Sequence, residues 1–330
     1  MLAPHADRPH AVPPQVFMPW KENWCFTGID PVHRTAMVWH ISLRPNDGEG
    51  IFTCKFDGPD LRIRHVGRHP IGHGVDTLTP LSDGNVRFEV IEPHQEFSLT
   101  FEGDDVTVEC AVTARFDSFD FADGNLAPGS SPIGDLGRHV FPFNHYEQAL
   151  SFTATISRPG HDDLQLSGWG NRDHSWGWRD DFGFRSHQWI CANFEDSYVQ
   201  GSTMLDTTYP DRKFGGFVST SDGNDPVTTI DISASYWDEP ANEPLPELDR
   251  DVSYTFQTVS GRELDLTAHL GERFRILYLN ARHPDRSQVY QDAQVFCPFT
   301  LHSTGQRGIG LLELGKHLRG NGIADRVGRR

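Results

Sequence analysis

Apolar and polar side chains alternate with a period of two along most of this 330-residue chain. Clusters of Gly, Pro, Asn and Asp interrupt the alternation about every ten residues. A period of two turns successive side chains to opposite faces, which suits strands with one face on a core. Strands are expected at Thr35–Leu43, Gly50–Phe56, Leu61–Val66, Val86–Glu92, Glu96–Glu102 and Val106–Phe116. A second series is expected at His145–Ile156, Leu164–Trp169, Trp189–Phe194, Tyr198–Thr208, Phe214–Thr220 and Val227–Trp237. It continues at Val252–Val259, Glu263–Leu270, Phe274–Leu279, Gln294–Leu301 and Ile309–Leu314. No window of about twelve residues carries a clean apolar stripe of helical period. The chain therefore reads as all-β, an antiparallel sandwich or barrel.

Phe119–Pro142 breaks the rhythm with Gly, Pro, Ser and Asp, and a connection of that length reads as a functional loop or a domain junction. Two β units are expected, at about 20–140 and 141–318, behind a Pro- and His-rich arm at 1–19 and ahead of a tail at 319–330. Trp20–Phe26 reads as an aromatic entry segment that plugs against the first sheet. The net charge is −17, from 46 acidic and 29 basic side chains. That balance argues against nucleic acid or an anionic membrane as partner, since phosphate binding needs clustered Lys and Arg. Five well-separated cysteines with no Cys-x-x-Cys pair suggest buried thiols in a reducing compartment. No signal-peptide-like or membrane-spanning run is present, so a cytoplasmic protein without stable membrane insertion is expected. A homodimer is left open.

One stretch concentrates chemistry: Gly168-Trp-Gly-Asn-Arg-Asp-His-Ser-Trp-Gly-Trp-Arg-Asp-Asp181. Indoles supply rigid apolar walls and glycines permit close backbone approach. Arg172, Asp173, His174 and Arg179 within that frame are ingredients for shifted pKa values and proton transfer. The alternative is a structural turn, with Asp and Arg paired and the tryptophans in core. In the strand from His145, alternation puts His145, Glu147, Ala149, Ser151 and Thr153 on one small, polar face. That face reads as a cleft wall or as an ordinary solvated surface. Glu313 stands alone in the apolar, glycine-flanked Gly308–Gly315. It must face solvent or meet a partner, such as an Arg of the central motif.

His145-Tyr-Glu-Gln148 combined with Gly168–Asp180 resembles the carotenoid 1,2-hydratase (hydroxyneurosporene synthase) and AttH-like superfamily, in a branch where Arg-Asp-His-Ser-Trp-Gly recurs. The resemblance covers most of the chain as architecture and these two stretches as specific residues. It implies two packed lipocalin-like β-barrel domains with few helices. It also implies cofactor-free chemistry on an apolar molecule held where the barrels meet: hydration, cyclisation or isomerisation. Carried over, Asp173 and His174 form the polar centre, with Trp176 and Trp178 near them and Glu147 as a second acid or orienting partner. His145, Trp169, Arg172, Arg179 and Glu313 complete the expected substrate-binding set. The carotenoid enzymes serve a membrane-dissolved substrate, whereas this acidic chain shows no docking surface. A small aromatic or terpenoid compound is therefore the expected ligand.

The expected enzyme is a lyase of hydro-lyase type, an isomerase, a cyclase or a C–C lyase, working by general acid–base catalysis with no metal or other cofactor. Desolvation would raise the Asp173 pKa unless Arg172 or Arg179 pairs with it. His65, His69 and His73 fall four apart, but Gly67, Pro70 and Gly72 forbid the helix that would make them a metal face. Ser186-His187 lacks a nucleophile elbow, so a hydrolase triad is not expected. The competing class is a non-catalytic, lipocalin-like carrier of an apolar ligand. A third is an interaction protein with the tryptophans as anchors.

Overall fold

The computed structural model describes residues 4–10, 20–71, 81–121, 143–178, 184–206, 213–233, 245, 247–282 and 287–320. As the alternation requires, the described chain is built from strands. Among the described residues there is no α-helix, only short 3-10 turns at Pro4–Asp7 and Leu270–Glu272. Among the described residues no helix is long and apolar enough to cross a membrane.

The first unit holds β1 (Trp20–Asp30), β2 (Thr35–Arg44), β3 (Glu49–Asp57), β4 (Arg62–Pro70), β5 (Leu81–Ser82) and β6 (Val86–Glu92). It continues with β7 (Glu96–Glu102), β8 (Thr107–Ala114), β9 (Phe119–Asp120), β10 (Phe143–Ser157) and β11 (Leu164–Trp178). They form one antiparallel sheet ordered β4-β3-β2-β1-β11-β10-β8-β7-β6-β5, with β9 on β10. The far edges approach each other: His65 on β4 bonds Asp83, just past β5, at 2.7 Å, so the sheet nearly closes on itself. Its interior is aromatic, with Trp24, Phe26, Trp39, Phe52 and Phe56 all essentially inaccessible. Each such ring adds about 1.5–3 kcal/mol by leaving water.

The second unit holds β12 (Phe184–Asn193), β13 (Tyr198–Asp206), β14 (Lys213–Thr220), β15 (Gly223–Ile232), β16 (Val252–Thr258) and β17 (Glu263–Ala268). After these come β18 (Arg275–Tyr278), β19 (Ala281–Arg282), β20 (Gln288–Leu301) and β21 (Gln306–Arg319). The order is β17-β16-β15-β14-β13-β12-β21-β20, and β17 also pairs with β20 through Leu266↔Leu301 to Ala268↔Phe299, closing a ring. Ile190, Val218, Tyr254, Phe256, Val295 and Leu312 fill it.

Three expectations change. The division falls between Trp178 and Phe184 rather than at 140, because β10 and β11 pair with β8 and β1 in the first sheet. Trp20–Phe26 is the first half of β1, a central strand, and not an entry segment. The arm expected over 1–19 includes Pro4–His10, whose Asp7 is buried in the first unit. The tail and the Phe119–Pro142 connection fall largely outside the described residues.

Candidate functional site

The central motif is neither loop nor turn: β11 runs straight through it to Trp178. Gly170 makes this feasible, since a Cβ there would sit 1.8 Å from the Thr27 carbonyl oxygen on β1. On a continuous strand, neighbours point to opposite faces. His174 stacks on Trp24 at 4.3 Å, and the Arg172 guanidinium lies over Phe97 at 4.2 Å, so both face the core of the unit. Asp173 takes the other face, opposite Glu147 in the β10–β11 register, whereas His174 lies opposite Tyr146. Asp173, His174 and Glu147 therefore do not meet at one centre: a one-residue step separates Asp173 from His174. On the outer face the His145 ring nitrogen lies 3.3 Å from the buried Glu147 carboxylate, and its ring tilts against Phe121. Trp169 shares that face and packs under the Arg115 guanidinium. Trp176 belongs to the inner face, stacked on His10 at 4.0 Å. The side chain of Trp178, and Arg179 and His73 altogether, lie outside the described residues. His65 and His69 sit on strand β4, as the glycines and proline require.

The inner face carries a continuous polar network. Arg172 donates to Asp7 at 2.7 Å, to the Gln148 side-chain oxygen at 2.9 Å and to the Tyr146 hydroxyl at 3.0 Å. Tyr146 in turn donates to Asp7 in a short bond. His94 holds a left-handed backbone (φ 60°) at the β6–β7 turn, where its N–H reaches Asp7 and its carbonyl accepts from Gln148. His174 lies 3.2 Å from the Tyr146 hydroxyl through Nδ1 and 2.9 Å from Glu22 through Nε2. His10 Nδ1 meets the same Glu22 oxygen at 2.7 Å. The side chains of Arg172, His174, Glu22 and Asp7 are all 0% exposed. Burial opposes ionisation of Asp7, but Arg172, the Tyr146 hydroxyl and His94 outweigh it and hold the carboxyl below its ordinary range. Burial pushes the His174 imidazole down, against the pull of Glu22, and drives the Tyr146 phenol well up. Of these partners the sequence reading singled out only Arg172 and His174.

A second constellation lies in the other unit, on the outward face of β12, β20 and β21. Ile190, Ala293, Leu312 and Leu314 point into that barrel's core, so His187, Tyr290, Gln294 and Glu313 point away from it. His187 bridges two groups, meeting the Tyr290 hydroxyl through Nδ1 at 2.5 Å and Glu313 Oε1 through Nε2 at 2.8 Å. The second Glu313 oxygen accepts from Gln294 at 3.1 Å. The His187 and Tyr290 rings stack nearly parallel, with Trp189 edge-on to the imidazole. The expected partner of Glu313, an Arg of the central motif, is replaced by His187 and Gln294. Gly315 makes room for the pair: a Cβ there would lie 2.2 Å from the imidazole and 2.5 Å from the phenol oxygen. Unlike the Arg172–Asp7 and His174–Glu22 pairs of the inner network, at 0%, this pair is reachable, with His187 12% and Glu313 21% exposed. Among the described residues, two groups have donor atoms within 4.8 Å of one another: His10, Glu22 and His174, and His187, Asp292 and Glu313.

Comparison with known proteins locates the chain by family and fold. A family model described as "Domain of unknown function (DUF7064)" matches residues 3–318. A search of curated proteins finds none that matches. An AttH candidate from Nitrosomonas europaea superposes with a TM-score of 0.54 at 15% identity, over 93% of this chain and 98% of its own. Kievitone hydratase from Nectria haematococca gives 0.54 at 11% identity, over 94% and 90%. CghA bound to Sch210972 gives 0.59 at 9% identity, over 91% and 88%. At such identities the likeness is one of fold.

Proposed function

We propose that this chain, which belongs to the DUF7064 family, is a cofactor-independent acid–base enzyme of hydro-lyase or isomerase type. Its substrate is a small hydrophobic aromatic or terpenoid molecule, and Glu313, His187 and Tyr290 are its proton-transfer relay. The observation that carries this reading is His187 held between a carboxylate and a phenol hydroxyl at a partly exposed position. A base oriented by a third group, in reach of a proton-bearing hydroxyl, is the general logic of activated side chains. Tyr290 exchanges a proton with the substrate, His187 takes or returns it, and Glu313 stabilises the imidazolium formed meanwhile. Gln294 fixes the carboxylate. Positioned proton transfer of this kind is worth about 10²–10⁴-fold. Trp189 supplies an apolar wall beside the relay, and an indole face favours developing positive charge. The inner network has the same side-chain types, but its Arg172–Asp7 and His174–Glu22 pairs are 0% exposed, which leaves them out of a substrate's reach. A shared fold with a protein named as a hydratase supports the reaction type.

The test is incubation of the protein with a panel of small phenols and terpenoids bearing an alkene or a tertiary alcohol, in water enriched in heavy oxygen. Label entering an alkene-bearing substrate, or conversion of a tertiary alcohol to its alkene, with wild-type protein but not with His187→Ala fits the relay. Saturable binding of panel members without turnover points instead to a carrier and sinks the enzyme reading.

A further inference from the structure

His10, Glu22 and His174 serve no step of the proposed relay, yet their donor atoms converge in the first unit. His10 Nδ1 and His174 Nε2 both point at Glu22 Oε1, at 2.7 and 2.9 Å. The bonds around them fix which protons are available. Tyr146 spends its only hydroxyl proton on Asp7, and its oxygen already accepts from Arg172. The 3.2 Å contact from His174 Nδ1 must then be a donation to that oxygen. A neutral imidazole has one N–H, so His174 Nε2 presents a lone pair to a carboxylate lone pair. That arrangement needs a cation between them, a second proton or a metal.

The surroundings suit a metal. Tyr146 holds the far nitrogen of His174, as the partners of ligating histidines do. The His10 backbone N–H anchors the other Glu22 oxygen at 2.9 Å. Trp176 stacks on the His10 ring and Trp24 on the His174 ring, giving the donors apolar walls. Tetrahedral zinc, with bonds of about 2.0–2.2 Å, spaces its ligand atoms roughly 3.3 Å apart. The two nitrogen–oxygen separations need to open by only about half an ångström to admit it. Two imidazoles and one carboxylate favour zinc or a neighbouring transition metal over calcium or magnesium.

We propose that His10, Glu22 and His174 bind one divalent transition metal ion, zinc by the chemistry of the donors, and that it ties the segment Pro4–His10 to the first unit's barrel. The inference rests on the first unit alone and stands or falls separately from the relay. The experiment uses full-length protein stripped with a chelator, then titrated with zinc and with cobalt(II), with metal content measured after desalting. His10→Ala is the diagnostic variant, because His10 is 20% exposed and the least embedded ligand. Circular dichroism checks that it folds. We expect one equivalent of metal per chain, a visible cobalt spectrum of tetrahedral type, and a zinc-dependent rise in Tm. Loss of an outer partner of a ligand costs about 10–100-fold in affinity, so His10→Ala should lose about 100-fold or more. Tyr146→Phe should lose about 10-fold, and His187→Ala should bind as wild type. Absence of saturable binding, a folded His10→Ala that binds normally, or loss of binding in His187→Ala would each overturn the proposal.

Discussion

The two histidine–carboxylate constellations use nearly the same parts and differ in where the sheet points them. His174 and Glu22 face the interior of their barrel, at 0% exposure, among Trp24, Tyr146 and Arg172. His187 and Glu313 face away from theirs, partly exposed, with a phenol and an indole beside them. An imidazole bonded to a carboxylate is thus no mark of a reaction centre. Inside a core, a polar network that satisfies its members fixes a unique arrangement and resists change. On an outward face the same pair can exchange protons with something that arrives and leaves. In the first unit the polar interior also gives the N-terminal segment its anchor, through Asp7 and His10.

The contrast breaks most readily at the relay hydroxyl. Tyr290→Phe removes one oxygen and should lower kcat by about 10²–10⁴-fold, with the urea midpoint nearly unmoved; turnover on the panel checks it. Arg172→Ala should do the reverse. Removing one partner of a buried ion pair costs about 3–5 kcal/mol, so urea unfolding should register a large loss of stability. A midpoint within error of wild type would mean that the inner network does not hold the barrel. Gly315→Ala sharpens the comparison, because its methyl collides with the imidazole and phenol rather than with backbone. A displacement near 1 Å at a reacting group costs about 100-fold in rate, while the partly exposed ring can yield without unfolding the chain. Steady-state kinetics alongside thermal melting separate the two effects.

The smallest effect expected is a pH dependence of stability in chelator-treated protein. The His174 pKa is depressed by burial from its ordinary value near 6.5, and that of Asp7 lies below 3.8. In both cases the unfolded chain binds protons at higher pH than the folded one. Stability is therefore full above about pH 6.5 and falls on acidification. It falls first as the unfolded-state histidine protonates, then again below pH 4 as the unfolded-state Asp7 carboxylate does. Urea midpoints from pH 8 to 3 should decline in that order, and a rise on acidification would contradict the stated directions.

Period-two alternation made the all-β architecture legible, because a strand with one buried face writes its geometry into each alternate residue. It also told half the story of the site. Glu313 in an apolar strand demanded a partner, and the turn between β20 and β21 places Gln294 opposite it by counting alone. His187 was not legible, since β12 and β21 are neighbours only through closure of the barrel, with His187 and Glu313 126 positions apart in the chain. Alternation, applied to the central motif as it was to His145–Ile156, would have separated Asp173 from His174. Ending the strand expected from Leu164 at Trp169 left the rest of the motif outside the alternation and hid this. Asp7 and His10 were missed because a Pro- and His-rich arm carries no periodic signal, and their burial comes from tertiary contacts alone.

The measurement that bears most directly on the division of labour is turnover by His187→Ala, with folding followed by urea on the same preparation. His187 sits at the centre of the relay and at the edge of the packing. The predicted result is a loss of at least 100-fold in kcat/KM with a midpoint close to wild type. Wild-type turnover in the folded variant would contradict the relay and leave the outward constellation without a chemical role.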